Sequence, residues 1–156
     1  MVDTARRSSE SPYTLLRGSP IAAANELCFE GRPTGTRLSG QWLQAQYLTA
    51  IGGLLFIVDD ALQEDCLEIY LVDERNQILD HARLQRMYSA GELRDLRRVG
   101  DSLFEFSFFG NDRWQLRLQS PPRLALHLPL PMREYHRDSV FAKRWLTLSR
   151  LRYTSR

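Results

Sequence analysis

Residues 103–118 read LFEFSFFGNDRWQLRL, and this stretch decides which kind of fold the chain can adopt. Its phenylalanines alternate with Glu105 and Ser107. After Gly110, a second run starts at Trp114 and alternates with arginine and glutamine. Alternation with a period of two places apolar side chains on one face of a strand. Two such runs around a short turn predict an antiparallel hairpin that covers a core with its apolar face.

The same pattern extends on both sides of this hairpin. From Gln41 to Leu128 the chain reads as about seven short strands with polar or Gly- and Pro-containing connections. Consecutive strands with short connections pair antiparallel, because a parallel sheet needs long and usually helical crossovers. We therefore expect an antiparallel meander of roughly six to eight strands, strongly curved or barrel-like, and not a nucleotide-binding α/β fold.

Two segments outside the strand pattern carry local signals typical of helices. Residues 20–30 follow Ser19, a suitable N-cap, and are followed by Gly31, a residue that often ends helices. Residues 90–98 start at Ser89-Ala90-Gly91-Glu92, which has the Ser and Glu spacing of a capping box. These signals predict an N-terminal helix and a short middle helix that pack on the sheet.

A third helix is expected over residues 138–151. Phe141, Trp145 and Leu148 are spaced four and three residues apart, which places them on one face of a helix. This segment is basic, and its apolar face is expected to cover the open sheet. The fold class that we predict is therefore α+β, mostly β, with N-terminal, middle and C-terminal helices.

Size and composition indicate one ordinary globular domain. The chain has 156 residues, of which 43% are hydrophobic and 26% charged, close to the values of average globular proteins. Residues 1–12 are rich in serine and charge and are expected to form a flexible tail, so the single globular domain is predicted over 13–156. A formal net charge of +2 is too small to indicate nucleic acid as a partner.

The uncharged stretch between Arg37 and Asp59 raises the question of a membrane span, because its 21 residues are long enough to cross a bilayer. Several glutamines and glycines interrupt it, so we expect two strands joined at residues 51–53 and no transmembrane segment. Cys28 and Cys66 are far apart and flanked by apolar residues. We expect both to be buried thiols in a reducing bacterial cytoplasm.

The sequence contains no motif for catalysis, a metal or a cofactor, so we expect a non-enzymatic accessory or interaction domain without cofactors. The charges are distributed unevenly: residues 59–80 hold eight acidic residues and one arginine, whereas the chain from Arg133 onward is basic. Such asymmetry can steer a protein partner or drive self-association. The predicted partner-binding residues are Asp59, Asp60, Glu64, Asp65, Arg144, Trp145, Arg150 and Arg152.

A small apolar ligand is the alternative to a protein partner. A curved meander is similar in architecture to lipocalin-like barrels, whose interior can hold such a ligand. The residues predicted to line that pocket are Tyr47, Phe56, Phe104, Phe106, Phe108 and Trp114. A third option is an enzyme whose site is assembled from dispersed residues such as Asp80, His81 and His127, which requires these side chains to share one cleft.

Overall fold

The computed structural model describes residues 11–18, 24–61, 64–126, 135–136 and 141–152. Within these ranges the regular structure is all β, arranged as three antiparallel sheets of which none closes into a barrel. The strands in chain order are β1 Tyr13–Leu16, β2 Ala24–Phe29, β3 Arg32–Ser39, β4 Trp42–Leu48, β5 Gly53–Ala61, β6 Glu64–Val72, β7 Ile78–Gln85, β8 Arg94–Gly100, β9 Leu103–Ser107, β10 Arg113–Leu126, β11 Tyr135–His136 and β12 Phe141–Leu151.

The three sheets divide the chain. The N-terminal sheet has the order β1-β2-β3, the central sheet β11-β7-β6-β5-β4, and the C-terminal sheet β12-β10-β9-β8. The antiparallel pairing that we predicted is confirmed, but the single curved or barrel-like meander is wrong. The long run of strands splits between β7 and β8, so the chain forms separate sheets that pack face to face rather than one sheet that curls on itself.

The central sheet is buried on both faces. One face carries Phe56 and Ile69 and packs against the C-terminal sheet. The opposite face carries Leu55 and Tyr70 and packs against the N-terminal sheet. Strands covered on both sides need apolar residues at successive positions, which is why residues 54–58 show an unbroken apolar run.

The predicted hairpin of residues 103–118 is confirmed. Strands β9 and β10 pair so that Trp114 lies opposite Phe106 and Leu116 opposite Phe104. All four side chains are buried in the core between the central and C-terminal sheets. The expected pair of strands in the uncharged stretch is also present, as β4 and β5. The described part of the chain holds no helix long and apolar enough to cross a bilayer.

The helix predicted over residues 20–30 is wrong. Residues 24–29 form β2, which pairs with both β1 and β3, while Ser19 and Pro20 lie outside the described residues. Glu30 and Gly31 have φ angles of 49° and 77°, as a two-residue hairpin turn requires. Gly31, which the sequence predicts as a helix stop, therefore turns the chain from β2 into β3.

The middle helix predicted over residues 90–98 is wrong as well. Residues 94–100 form β8, which pairs with β9. The expected capping box does not form, because the Gly91 N–H donates to Asp65 Oδ2 at 2.7 Å and the Ser89 carbonyl accepts from the Asp65 N–H at 3.3 Å. Contacts to a residue 26 positions away in sequence override the local capping signal.

The C-terminal helix is the third correction. Residues 141–151 form β12, which pairs with β10, while residues 138–140 lie outside the described ranges. Arg144, Leu146 and Leu148 are buried and alternate with residues that are exposed or half-buried. The helical stripe through Trp145 was therefore coincidental. Residues 141–151 form a strand and not a helix because β12 covers the edge of β10 with main-chain hydrogen bonds as well as apolar side chains.

The predicted tail falls mostly outside the described residues, since these begin at Ser11. The last tail residue, Pro12, accepts a hydrogen bond from the Glu30 N–H at 2.7 Å. The extent of the tail and the single domain over 13–156 stay predictions.

Asp80 joins the central sheet to β12. Its Oδ2 accepts the main-chain N–H groups of Trp145 and Leu146, each at 2.9 Å, and its Oδ1 lies 3.8 Å from Arg144 Nη1. The two N–H groups lie where the β10–β12 register shifts, between Leu118 and Arg123 on β10. A buried carboxylate thus replaces strand partners that the shifted register cannot supply.

Replacing Asp80 by alanine is expected to lower the free energy of unfolding by about 3 kcal/mol, because two buried N–H groups lose their acceptor and the buried Arg144 guanidinium loses a nearby opposite charge. Urea denaturation followed by tryptophan fluorescence measures the change. The matched control is Asp101→Ala, which removes an exposed carboxylate and should change stability by less than about 0.5 kcal/mol. Equal effects of the two substitutions would contradict the joining role of Asp80.

Candidate functional site

A buried polar cluster lies between the central and N-terminal sheets. Glu68 on β6 is 1% exposed and contacts His81 Nε2, while its Oε1 accepts from Arg83 Nε at 2.7 Å. Tyr70 stacks on His81, with ring centroids 4.0 Å apart, and its hydroxyl accepts the Ser39 N–H at 3.0 Å. The cluster therefore ties two strands of the central sheet to each other and to the N-terminal sheet.

The electrostatics of this cluster favour a structural role. Burial raises the pKa of the Glu68 carboxyl, but hydrogen bonds from His81 and Arg83 outweigh burial and leave that pKa below its ordinary value. Burial and the neighbouring Glu68 carboxylate raise the pKa of the Cys66 thiol far above its usual range. A thiol held protonated in this way is a poor nucleophile.

The side chains of Asp80 and His81, two of the residues considered for an assembled enzyme site, do not share a cleft. Asp80 and His81 are consecutive on β7, so their side chains point to opposite faces of the central sheet. The Asp80 carboxylate faces β12, whereas the His81 ring stacks on Tyr70 below the N-terminal sheet. His127 lies outside the described residues. A shared cleft for Asp80 and His81 is therefore ruled out by the geometry of the strand.

The aromatic residues predicted to line a ligand pocket pack on one another. Tyr47 and Phe104 have ring centroids 4.9 Å apart, and Phe56 and Phe106 are 5.8 Å apart at edge-on angles. Phe108 and Trp114 belong to the same buried cluster. These side chains occupy the space between the central and C-terminal sheets. An apolar ligand pocket stays a prediction, and their packing does not favour it.

The predicted acidic residues lie together at the end of the β5–β6 pair. Asp59 lies opposite Cys66, Asp60 opposite Asp65, and Ala61 opposite Glu64. The Asp65 carboxylate is engaged by the Gly91 N–H. In the part of the chain that the structure describes, there is no cluster of three or more His, Cys, Asp or Glu side chains suited to a metal ion.

The structure separates the predicted basic residues into two groups. Arg144 is buried beside Asp80, and Trp145 is half-buried and packs against the core. Both therefore support the fold. Arg150 and Arg152 are exposed at the end of β12, so these two remain accessible to a partner.

An open cleft of about 590 Å³ lies at this end of the C-terminal sheet, and we call it the arginine cleft. It forms because Arg113, the first residue of β10, pairs with Leu151 near the end of β12. This register brings Arg113 to the end of β12, next to Arg150 and Arg152. The residues that line the cleft are Asn111, Asp112, Arg113, Arg150, Leu151 and Arg152.

Asp112 pairs with one arginine of the cleft and with Arg86, which lies outside its lining. Its Oδ1 accepts from Arg150 Nη2 at 2.6 Å, and its Oδ2 pairs with Arg86. Burial raises the pKa of the Asp112 carboxyl, but the hydrogen bonds from Arg86 and Arg150 outweigh it and lower that pKa. Three arginines line the cleft with this one carboxylate, and Arg113 also lies 3.4 Å from the Glu105 carboxylate, which pairs with Arg97 as well. The arginines still outnumber the two carboxylates, so the cleft carries a net positive charge that suits an anionic group.

Sequence reasoning found Arg150 and Arg152 but missed Arg113 and Asp112. The two missed residues stand at the turn of the most clearly predicted hairpin, where charged residues are usually solvated and carry no signal of their own. Their proximity to Arg150 depends on the β10–β12 pairing, which a helix over 138–151 would have prevented.

Comparison with known proteins identifies no relative for this chain: no protein-family model, no curated protein and no solved structure matches it. A function must therefore be argued from the residues of the candidate site alone.

Stability is expected to depend on pH through Glu68. The folded-state pKa of this carboxyl lies below its ordinary value of 4.5, so its stabilising contribution is present above that value and is lost as the pH falls through the folded-state pKa. The difference in free energy of unfolding between wild type and Glu68→Gln should therefore stay constant from about pH 7 to about pH 5 and shrink as the pH falls below the ordinary pKa of 4.5.

Urea denaturation across this pH range measures that difference. The control is Glu30→Gln at an exposed turn, where we expect little difference at any pH. A gap between wild type and Glu68→Gln that stays constant down to the lowest pH would contradict the ion-paired state of Glu68.

Proposed function

We propose that this protein is a non-enzymatic interaction domain that binds an acidic segment of a partner protein in the arginine cleft. The observation that carries the proposal is an open cleft whose lining includes Arg113, Arg150 and Arg152, with Arg150 held by Asp112. A guanidinium group presents its N–H donors as a planar fork, which matches the two oxygens of a carboxylate. An acidic peptide segment offers several carboxylates at a spacing that such a cleft can accept.

Arg150 is already held in position before a partner arrives. Asp112 fixes it through a 2.6 Å hydrogen bond, and Arg86 holds Asp112 from the other side. An ordered guanidinium loses less side-chain entropy on binding than a free one, which favours affinity.

A protein partner fits the size and location of the site better than the other classes. The arginines form one local group on a chain whose formal net charge is only +2, whereas nucleic-acid surfaces extend positive charge along a backbone. The cleft is wide and lies at the end of two strands. We include a cytoplasmic location in the proposal, since Cys28 and Cys66 are free and buried, as in proteins of reducing compartments.

A fluorescent peptide of about eight glutamates is expected to bind the wild-type protein measurably. The double variant Arg150→Glu/Arg152→Glu should weaken this binding at least about tenfold, because it replaces attraction by repulsion at the cleft. Binding should also weaken as salt is added, since both arginines are exposed and therefore screened. Fluorescence anisotropy at low and at physiological ionic strength measures both effects.

The matched control is Arg37→Glu/Arg32→Glu, a charge reversal of two exposed arginines on β3 of the N-terminal sheet. It changes the net charge by the same amount and should leave most of the affinity intact. An equal loss of affinity in both double variants would mean that only the net charge of the protein matters, and it would overturn the proposal. Sedimentation velocity over a range of protein concentrations shows whether a second copy, through its acidic β5–β6 end, occupies the cleft instead.

A further inference from the structure

The loop between β7 and β8 exposes two apolar side chains at its tip. Met87 is 62% and Tyr88 77% exposed. Tyr88 also has a φ angle of 54°, a left-handed conformation that is uncommon and strained for a bulky residue. Strained backbone conformations cluster at functional sites, so the exposed aromatic residue at position 88 is a candidate for binding.

The turn around this tip is closed and then anchored. The Ser89 N–H donates to the Arg86 carbonyl at 3.3 Å, which closes the turn, and the Ser89 carbonyl accepts the Asp65 N–H at 3.3 Å. Gly91 donates its N–H to Asp65 Oδ2 at 2.7 Å, and it lies so close to the Phe108 ring that a Cβ there would approach a ring carbon to 2.6 Å. The tip is therefore presented by an anchored turn.

Arg86 connects the loop to the arginine cleft. Its guanidinium lies 4.7 Å from the centre of the Phe109 ring and pairs with Asp112, which in turn holds Arg150. Met87 directly follows Arg86 in the chain. The loop that carries the apolar tip is thus joined to the lining of the cleft by the Arg86–Asp112–Arg150 chain of ion pairs.

We infer that the Met87–Tyr88 tip and the arginine cleft form one continuous docking surface, whose partner is an acidic protein segment that also carries an apolar or aromatic side chain. The inference rests on the proposed function and specifies its partner further. Tyrosine and methionine are enriched where proteins bind one another, and an apolar anchor beside charged contacts is the usual arrangement of an interface centre and rim. The arginines supply the charge complementarity to the acidic residues.

Two peptides of equal length and charge test the inference. One contains glutamate and serine only, and in the other a leucine and a phenylalanine replace two serines. The wild-type protein is expected to bind the second peptide about tenfold more tightly, the effect of burying roughly one to two apolar side chains. Fluorescence anisotropy measures both affinities.

The variant Met87→Ser/Tyr88→Asn should lose this advantage while it binds the purely acidic peptide within about twofold of wild type. Asparagine is chosen because it tolerates the left-handed backbone of position 88. The matched control is Leu124→Ser, which removes an apolar side chain of similar exposure (64%) on β10, far along the strand from Arg113. This control should keep the full advantage of the second peptide.

A measurement on the unaltered protein guards against a variant that fails to fold. In ¹⁵N–¹H spectra of the wild type, the amides of Met87 and Tyr88 should shift with the second peptide and stay in place with the purely acidic one. Equal wild-type affinities for the two peptides, or unshifted Met87 and Tyr88 amides, would overturn the inference and leave the proposed function standing. Failure of both peptides to bind would overturn the proposed function itself.

Discussion

The whole structure depends on one constraint: the central sheet is apolar on both faces, so both faces must be covered. The N-terminal sheet covers the face of Leu55 and Tyr70, and the C-terminal sheet covers the face of Phe56 and Ile69. Little apolar surface then remains for a ligand in the interior of the described residues. Function is accordingly expected where strands end, and the arginine cleft lies at such an end of β10 and β12.

Asp80 links this packing to the candidate site. Its carboxylate holds the N–H groups of Trp145 and Leu146 where the β10–β12 register shifts. Beyond that point β12 runs in register with β10 to Leu151, which places Arg150 beside the turn that carries Asp112. A buried carboxylate in the core thus holds β12 at the start of the stretch that carries Arg150 to the surface. The charge that we expect to bind a partner follows from how the sheets are joined.

The sequence predicted what depends on local patterns and missed what depends on distant pairing. The hairpin of 103–118 could be predicted, because alternation and turn residues lie within a few positions of one another. The helix over 138–151 could not be excluded, since Phe141, Trp145 and Leu148 fit a helical stripe, and the edge of β10 that makes β12 a strand is about 25 residues away. The arginine cleft was missed for the same reason, as it requires the pairing of Arg113 with Leu151.

The most direct test of this account is NMR of residues 141–151, using Cα and Cβ chemical shifts together with amide hydrogen exchange. The account predicts strand-type shifts throughout this segment and slow exchange of the Trp145 and Leu146 amides, because Asp80 holds both in the joint between two sheets. Helical shifts, or exchange of these two amides as fast as in an unfolded chain, would contradict it. Either result would mean that residues 141–151 do not form the strand that brings Arg150 and Arg152 to Arg113.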